Sequence, residues 1–306
     1  MMCNKCNNPN FICKCDIGGI SNIGNISNIG NISNVGGIGN NSWENFDKII
    51  ENNCTGKSDL VHKVKYTSLN ISTMTVCFNF NKFIDLKLLK GKFSKNNSVS
   101  INYKPGSKKS KVPKKKGTDV FYNSLDIKLG IVDYTRNPIV VSNLSIFIFS
   151  NGKVKTAGAK TINTINIMIN ELIELIEEDL SVENIKIQMI CSDFKMKPII
   201  EKPDGWCLKQ ELLKNILVKE HSLSATFSPL SRYPGINLKY PSTSEENKQI
   251  SLFIFRSGSI IITGAKNAND LANSYTFITN VVCKHSKELF YYDINEEIKQ
   301  SKKTKT

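Results

Sequence analysis

The sequence predicts an α+β protein, an antiparallel sheet with helices on one side, built twice over. Three observations carry this. Ser145 to Lys160 aligns without gaps with Ser251 to Lys266, 106 residues later, and eight of the sixteen positions are identical. Each copy alternates apolar residues with period two around a glycine, Gly152 or Gly258, as two strands joined by a tight turn do. Each copy then runs through Gly-Ala-Lys into a helical stripe, which can cover one face of such a sheet.

The strands come first. Side chains alternate between faces, so Phe147 and Phe149 share one face, as do Phe253 and Phe255. The opposite face carries Ile146 and Ile148, or Leu252 and Ile254, and is the one expected beneath the helices. Upstream, Tyr122 to Leu129 matches Tyr233 to Tyr240 in pattern, at a slightly larger offset that a loop insertion absorbs. The first helix is expected from Thr161 to Asp179, with Ile162, Ile165, Ile169, Leu172, Ile173 and Ile176 in one stripe. The second is expected from Asn269 to Lys287, with Leu271, Tyr275, Ile278 and Val282 inward. One helix layer per repeat leaves the phenylalanine faces to be covered by loops, the other repeat or a partner.

Charge narrows the partner. Lys and Arg number 41 against 27 Asp and Glu, a net +14, which suits a polyanion. An apolar sheet face ringed by lysine fits a DNA minor groove, which offers sugar edges and a degenerate set of base acceptors. No window approaches a membrane span and the N-terminus lacks a secretory pattern, so a soluble intracellular protein is expected. Of nine cysteines, Cys54, Cys77, Cys191, Cys207 and Cys283 stand singly, as in a reducing compartment.

The remaining segments divide the chain. Residues 1–16 hold Cys3, Cys6, Cys13 and Cys15, four soft ligands that form either a zinc knuckle or a cysteine-rich leader. Residues 17–42 repeat Ile-Ser-Asn-Ile-Gly-Asn with period six and are expected to be a flexible tether, so that the N-terminal extension is disordered. The first repeat then spans 43–183 and the second 184–290, with a basic tail at 291–306. Between Lys104 and Lys116 seven lysines with Pro105, Gly106 and Pro113 make an exposed basic loop, suited to phosphates or to nuclear import.

Ile254 to Lys266 and Tyr233-Pro-Gly235 resemble the TATA-binding protein family most specifically, within a likeness running from about Tyr66 to Leu289. The resemblance implies a pseudo-twofold saddle of two repeats, a curved antiparallel sheet with helices on its convex face, that binds and bends AT-rich promoter DNA as a general transcription initiation factor. It implies that Tyr122 with Phe149, and Tyr233 with Phe255, wedge between base steps; kinking by such wedges is described for this very family. Phe147, Phe253, Ile261 and Thr263 match groove-floor positions, and Lys128 and Lys239 match arginines near phosphates, keeping charge without the bidentate fork. Asn70 matches an asparagine that reads the centre of the site, whereas Met189 stands at its second-repeat counterpart. Ala157 likewise replaces the threonine seen at Thr263, and Lys155 replaces a small apolar residue. Half the central polar readout is missing, so the expected preference is relaxed and A·T-biased. Ser228 to Arg232 lacks the acidic residues that resemble a docking point for transcription factor IIB; such a factor and an RNA polymerase machinery are the partners the resemblance implies, in the nucleus or a cytoplasmic viral factory.

Two rival classes have weaker support. For an enzyme, Gly158-Ala-Lys-Thr161 lacks the adjacent Gly-Lys and the earlier glycine of a phosphate loop, and His62, His221 and His285 have no triad or metal spacing. Glu171, Glu174, Glu177 and Glu178 lie at helical spacing as a solvated face. No cofactor is required, and zinc at the leader cysteines is the one candidate. A single-stranded nucleic-acid or structural module that reuses the saddle is the other rival, because rings on a basic sheet also stack unpaired bases.

Overall fold

The computed structural model describes residues 45–93, 100–103, 124–135, 138–176, 180–200, 205–230 and 234–295. The cysteines at 3, 6, 13 and 15, the tether, the lysine loop at 104–116, Tyr122, Tyr233, Glu177, Glu178 and the basic tail from 296 onward lie outside the described residues. The elements begin with α1 (Phe46–Asn53), β1 (Lys57–Asp59), β2 (Val64–Tyr66), β3 (Asn70–Phe80), α2 (Leu86–Phe93), β4 (Ser100–Tyr103), β5 (Ser124–Asp133), β6 (Val140–Phe149), β7 (Lys153–Ala159) and α3 (Ile162–Ile176). They continue with β8 (Val182–Pro198), β9 (Trp206–Leu208), α4 (Gln210–Lys219), β10 (Ser224–Thr226), β11 (Ile236–Pro241), β12 (Gln249–Ile254), β13 (Ser259–Ala265), α5 (Ala268–Lys284), α6 (Ser286–Leu289) and β14 (Phe290–Tyr292).

The described chain forms two compact units. One is built from residues 76–159 and 163–186, the other from 45–75, 160–162 and 187–295. In the first, β4, β5, β6 and β7 pair antiparallel in sequence order, and the end of β3 joins them, Phe80 N–H donating to the Gly152 carbonyl at 2.8 Å. Leu125, Ile127, Leu144, Ile146 and Ile148 are buried on one face. From α3, Ile165, Met168 and Leu172 are fully buried. Burying each such side chain contributes about 1.5–3 kcal/mol, so this face and this helix hold the unit together. Ile173 is only half-buried and Met168 takes the inward place instead, because a 3.6-residue period carries the stripe from Ile165 through Met168 to Leu172.

The second unit repeats the plan: β10, β11, β12, β13 and β8 pair antiparallel in that order. Leu238, Leu252, Ile254 and Ile262 are buried on one face, and α5 buries Leu271, Tyr275, Ile278 and Val282, the four residues expected inward. This helix starts at Ala268, because Asn267 caps it, accepting from the Asp270 N–H at 2.8 Å. To this plan the unit adds the β1–β2 hairpin, which pairs with β8, and a separate β9–β14 ribbon.

The two glycine turns are equivalent and obligatory. Gly152 has φ +79° and Gly258 φ +76°; a β-carbon would stand 2.5 Å from the Lys82 carbonyl oxygen at the first and 2.2 Å from that of Met196 at the second. Only glycine satisfies both the left-handed backbone and the missing space.

Candidate nucleic-acid interface

In each unit the face opposite the core has the same layout, set by strand register. In the first, Phe147 lies on β6 between Asp126 of β5 and Lys155 of β7. One step along, Ser145 lies between Lys128 and Ala157. In the second, Phe253 lies on β12 between Asn237 of β11 and Ile261 of β13, and Ser251 lies between Lys239 and Thr263. Asp126 thus corresponds to Asn237, Lys128 to Lys239, Lys155 to Ile261, and Ala157 to Thr263.

Burial separates the two faces as the alternation predicts. Ile146, Ile148, Leu252 and Ile254 are buried, while Phe147, Phe149, Phe253 and Phe255 are half-buried. These rings are not sealed within the interior. Phe149 ends β6, opposite Ser124. Phe255 follows β12 in the turn, its N–H donating to the Ser259 carbonyl and its carbonyl accepting from the Gly258 N–H, both at 2.9 Å. Gln210, at the start of α4, braces this end by donating from Nε2 to the carbonyls of Pro234 at 3.0 Å and Ile254 at 2.9 Å.

Polar and charged groups lie on the open face of each unit. Lys128 and Lys155 are exposed. Lys239 is held more firmly, its Nζ donating to Ser251 Oγ at 2.7 Å. Cys77 and Cys191 also face this way: burial pushes both thiols up, with the nearby Lys155 charge opposing the shift at Cys77 and a Thr263 hydrogen bond opposing it at Cys191. In the second unit Asn70 Nδ2 donates to Asp193 Oδ1 at 3.0 Å, and Ser72 Oγ donates to the same oxygen at 2.5 Å. Asp193 in turn pairs in register with Ile261 on β13.

Sequence reasoning singled out Asn70, Phe147, Phe149, Phe253, Phe255, Ile261, Thr263, Lys128, Lys239 and Lys155, and the structure places them on the open faces of their own units. It did not single out Asp126, Asn237 or Asp193. Asp126 Oδ1 and Asn237 Oδ1 are buried without a hydrogen-bond partner, a pair of acceptors at equivalent positions. Period-two counting back from Lys128 and Lys239 along their own strands would have found these two. Among the described residues no group of His, Cys, Asp and Glu is arranged to hold a metal, and no helix is long and apolar enough to cross a membrane.

Fold and faces together define a repeat α+β protein with helices against one sheet face and an open, aromatic and lysine-bearing face on the other. Comparison with known proteins finds similar ones. Residues 210–285 match the profile of the family described as transcription factor TFIID, or TATA-binding protein. The chain is 27% identical over 267 residues to a TATA-box-binding protein-like protein of Acanthamoeba polyphaga mimivirus, spanning 76% of this chain and 70% of that one. A solved structure, Methanococcus jannaschii TBP, is 19% identical with a TM-score of 0.44, covering 71% of this chain and 98% of that one. The chain is thus similar, at low identity, to TATA-binding-protein-like proteins.

Proposed function

We propose that this protein is a DNA-binding transcription factor that enters the minor groove of AT-rich promoter DNA, bends it, and serves as a general initiation factor. The observation that carries this reading is the repeated pair of half-buried rings, Phe147 with Phe149 and Phe253 with Phe255, each pair on the face opposite its unit's core. Apolar side chains of this kind can wedge between base steps, at a cost of about a few kcal/mol per step that the wider contact with bent DNA offsets. Lys128, Lys155 and Lys239 on the same faces supply charge for the phosphate backbone. Tyr122 and Tyr233 are assigned the partner wedges, and Asn70 and Thr263 polar contacts on the groove floor. A family of transcription factors, not of enzymes, is the one matched, so the chemistry proposed is binding without catalysis.

The partners proposed are a transcription factor IIB-like protein and an RNA polymerase machinery, in the nucleus or a cytoplasmic viral factory. Zinc at Cys3, Cys6, Cys13 and Cys15 remains part of the proposal, tested by metal content. The deciding experiment is energy transfer across end-labelled AT-rich and GC-rich duplexes. Bending of the AT-rich set, reversed by a competing minor-groove ligand, is expected. Preference for poly-pyrimidine single strands would overturn it.

A further inference from the structure

We infer that Asp193 determines specificity within the site: it selects one G·C pair in an otherwise A·T-biased sequence by accepting a hydrogen bond from the guanine 2-amino group. The inference rests on the minor-groove reading above and deepens it.

Asp193 is half-buried on the open face of the second unit, in the same row as Ile261, Phe253 and Asn237. Its two oxygens are not equivalent. Oδ1 accepts from both Asn70 Nδ2 and Ser72 Oγ, which fixes the carboxylate's orientation. Oδ2 has no hydrogen-bond partner among the described residues. An ionised carboxylate only accepts, so what it presents to a ligand is acceptor capacity.

The minor groove converts that into a base preference. A·T and T·A pairs show only acceptors there, adenine N3 and thymine O2, and G·C adds a single donor, the guanine 2-amino group. Against an A·T pair Oδ2 would be desolvated opposite lone pairs. Against a G·C pair it gains a charge-assisted hydrogen bond, the stronger kind.

Base analogues isolate this contact because they change the minor-groove amino group alone. One G·C pair is walked through an AT-rich duplex, and affinity is compared with inosine·C, which lacks the amino group, and with 2,6-diaminopurine·T, which restores it. At one position the full-length protein is expected to bind G·C and diaminopurine·T about tenfold more tightly than inosine·C or A·T. Asp193→Asn keeps the shape and the acceptor for Asn70 and Ser72 but turns an amide N–H₂ outward, so it should reverse that order. Equal affinity for the four pairs at every position with the unsubstituted protein overturns the assignment, and so does an Asp193→Asn protein that keeps the original order. Failure to bind any duplex is a separate result, and overturns the minor-groove reading together with this one.

Discussion

The ring of Phe255 lies against the α-carbon of Gly235, so closely that a β-carbon there would stand 3.1 Å from Cε1 and 3.3 Å from Cδ1. Glycine in the Tyr-Pro-Gly segment therefore sets where this ring sits. Phe255→Ala should lower affinity for duplex DNA by about 1–3 kcal/mol, the scale of a stacked base contact, and reduce bending. Phe149→Ala should do the same from the first unit. Gly235→Ala, which only displaces the Phe255 ring, should reduce the bend while leaving the unfolding midpoint nearly unchanged. Unaltered energy transfer in end-labelled duplex with all three proteins would show that neither ring acts as a wedge.

Lys128 and Lys239 hold equivalent register positions, each opposite a serine. Neutralising either by Lys→Met should flatten the slope of log K against log salt by about 0.9, the value of one phosphate contact. The bend angle should not change. A slope equal to that of the unsubstituted protein would place that lysine away from the backbone.

What the sequence could show depended on periodicity. The face of each strand from Ser145 and from Ser251 was legible, because period two alone puts Ile146 inward and Phe147 outward. Both helices were legible to within about three residues wherever their ends are described. Pairing between distant strands was not: nothing near Asn70 points to Asp193, 123 residues away. On β8 itself the alternation is broken, with Gln188 and Met189 both exposed and Asn184 at a positive φ of 55°, so period counting along that strand loses its phase before reaching Asp193. The β9–β14 ribbon joins segments of only three residues, too short for either period to register.

Asp270 contributes to the pH dependence of the second unit. It is buried, and its carboxylate accepts from Ser242 Oγ at 2.8 Å, Thr243 N at 2.9 Å, Thr243 Oγ1 at 3.0 Å, Ser244 Oγ at 2.9 Å and Asn267 Nδ2 at 3.1 Å. Burial alone would push its pKa up, but these hydrogen bonds outweigh it and hold the group below 3.8. A carboxylate whose pKa is depressed by folding contributes stability that is fully present above its unfolded value and lost as the pH falls through its folded value. Asp270→Asn should therefore cost about 1–3 kcal/mol at pH 7 and progressively less below pH 4. Denaturant unfolding of both proteins at pH 7 and pH 3 checks this; a difference that stays constant with pH would mean the charge contributes nothing.

The repeated Gly-Ala-Lys places Gly158 and Gly264 at equivalent positions with similar backbones, φ +112° and +95°, yet their surroundings differ. At Gly158 a β-carbon would stand 2.2 Å from the Asn143 carbonyl oxygen, a backbone atom of the neighbouring strand that cannot yield without disturbing β6. At Gly264 the nearest atom, the Gln249 carbonyl oxygen, is 3.7 Å away, an ordinary contact. Gly264→Ala should cost only the positive-φ strain, about 1–2 kcal/mol. Gly158→Ala adds the collision and should cost at least twice as much, enough to lower the cooperative unfolding midpoint of the first unit visibly. Thermal unfolding of the two single variants separates the terms: equal shifts would mean that β6 moves aside freely and that backbone conformation alone requires glycine at both places.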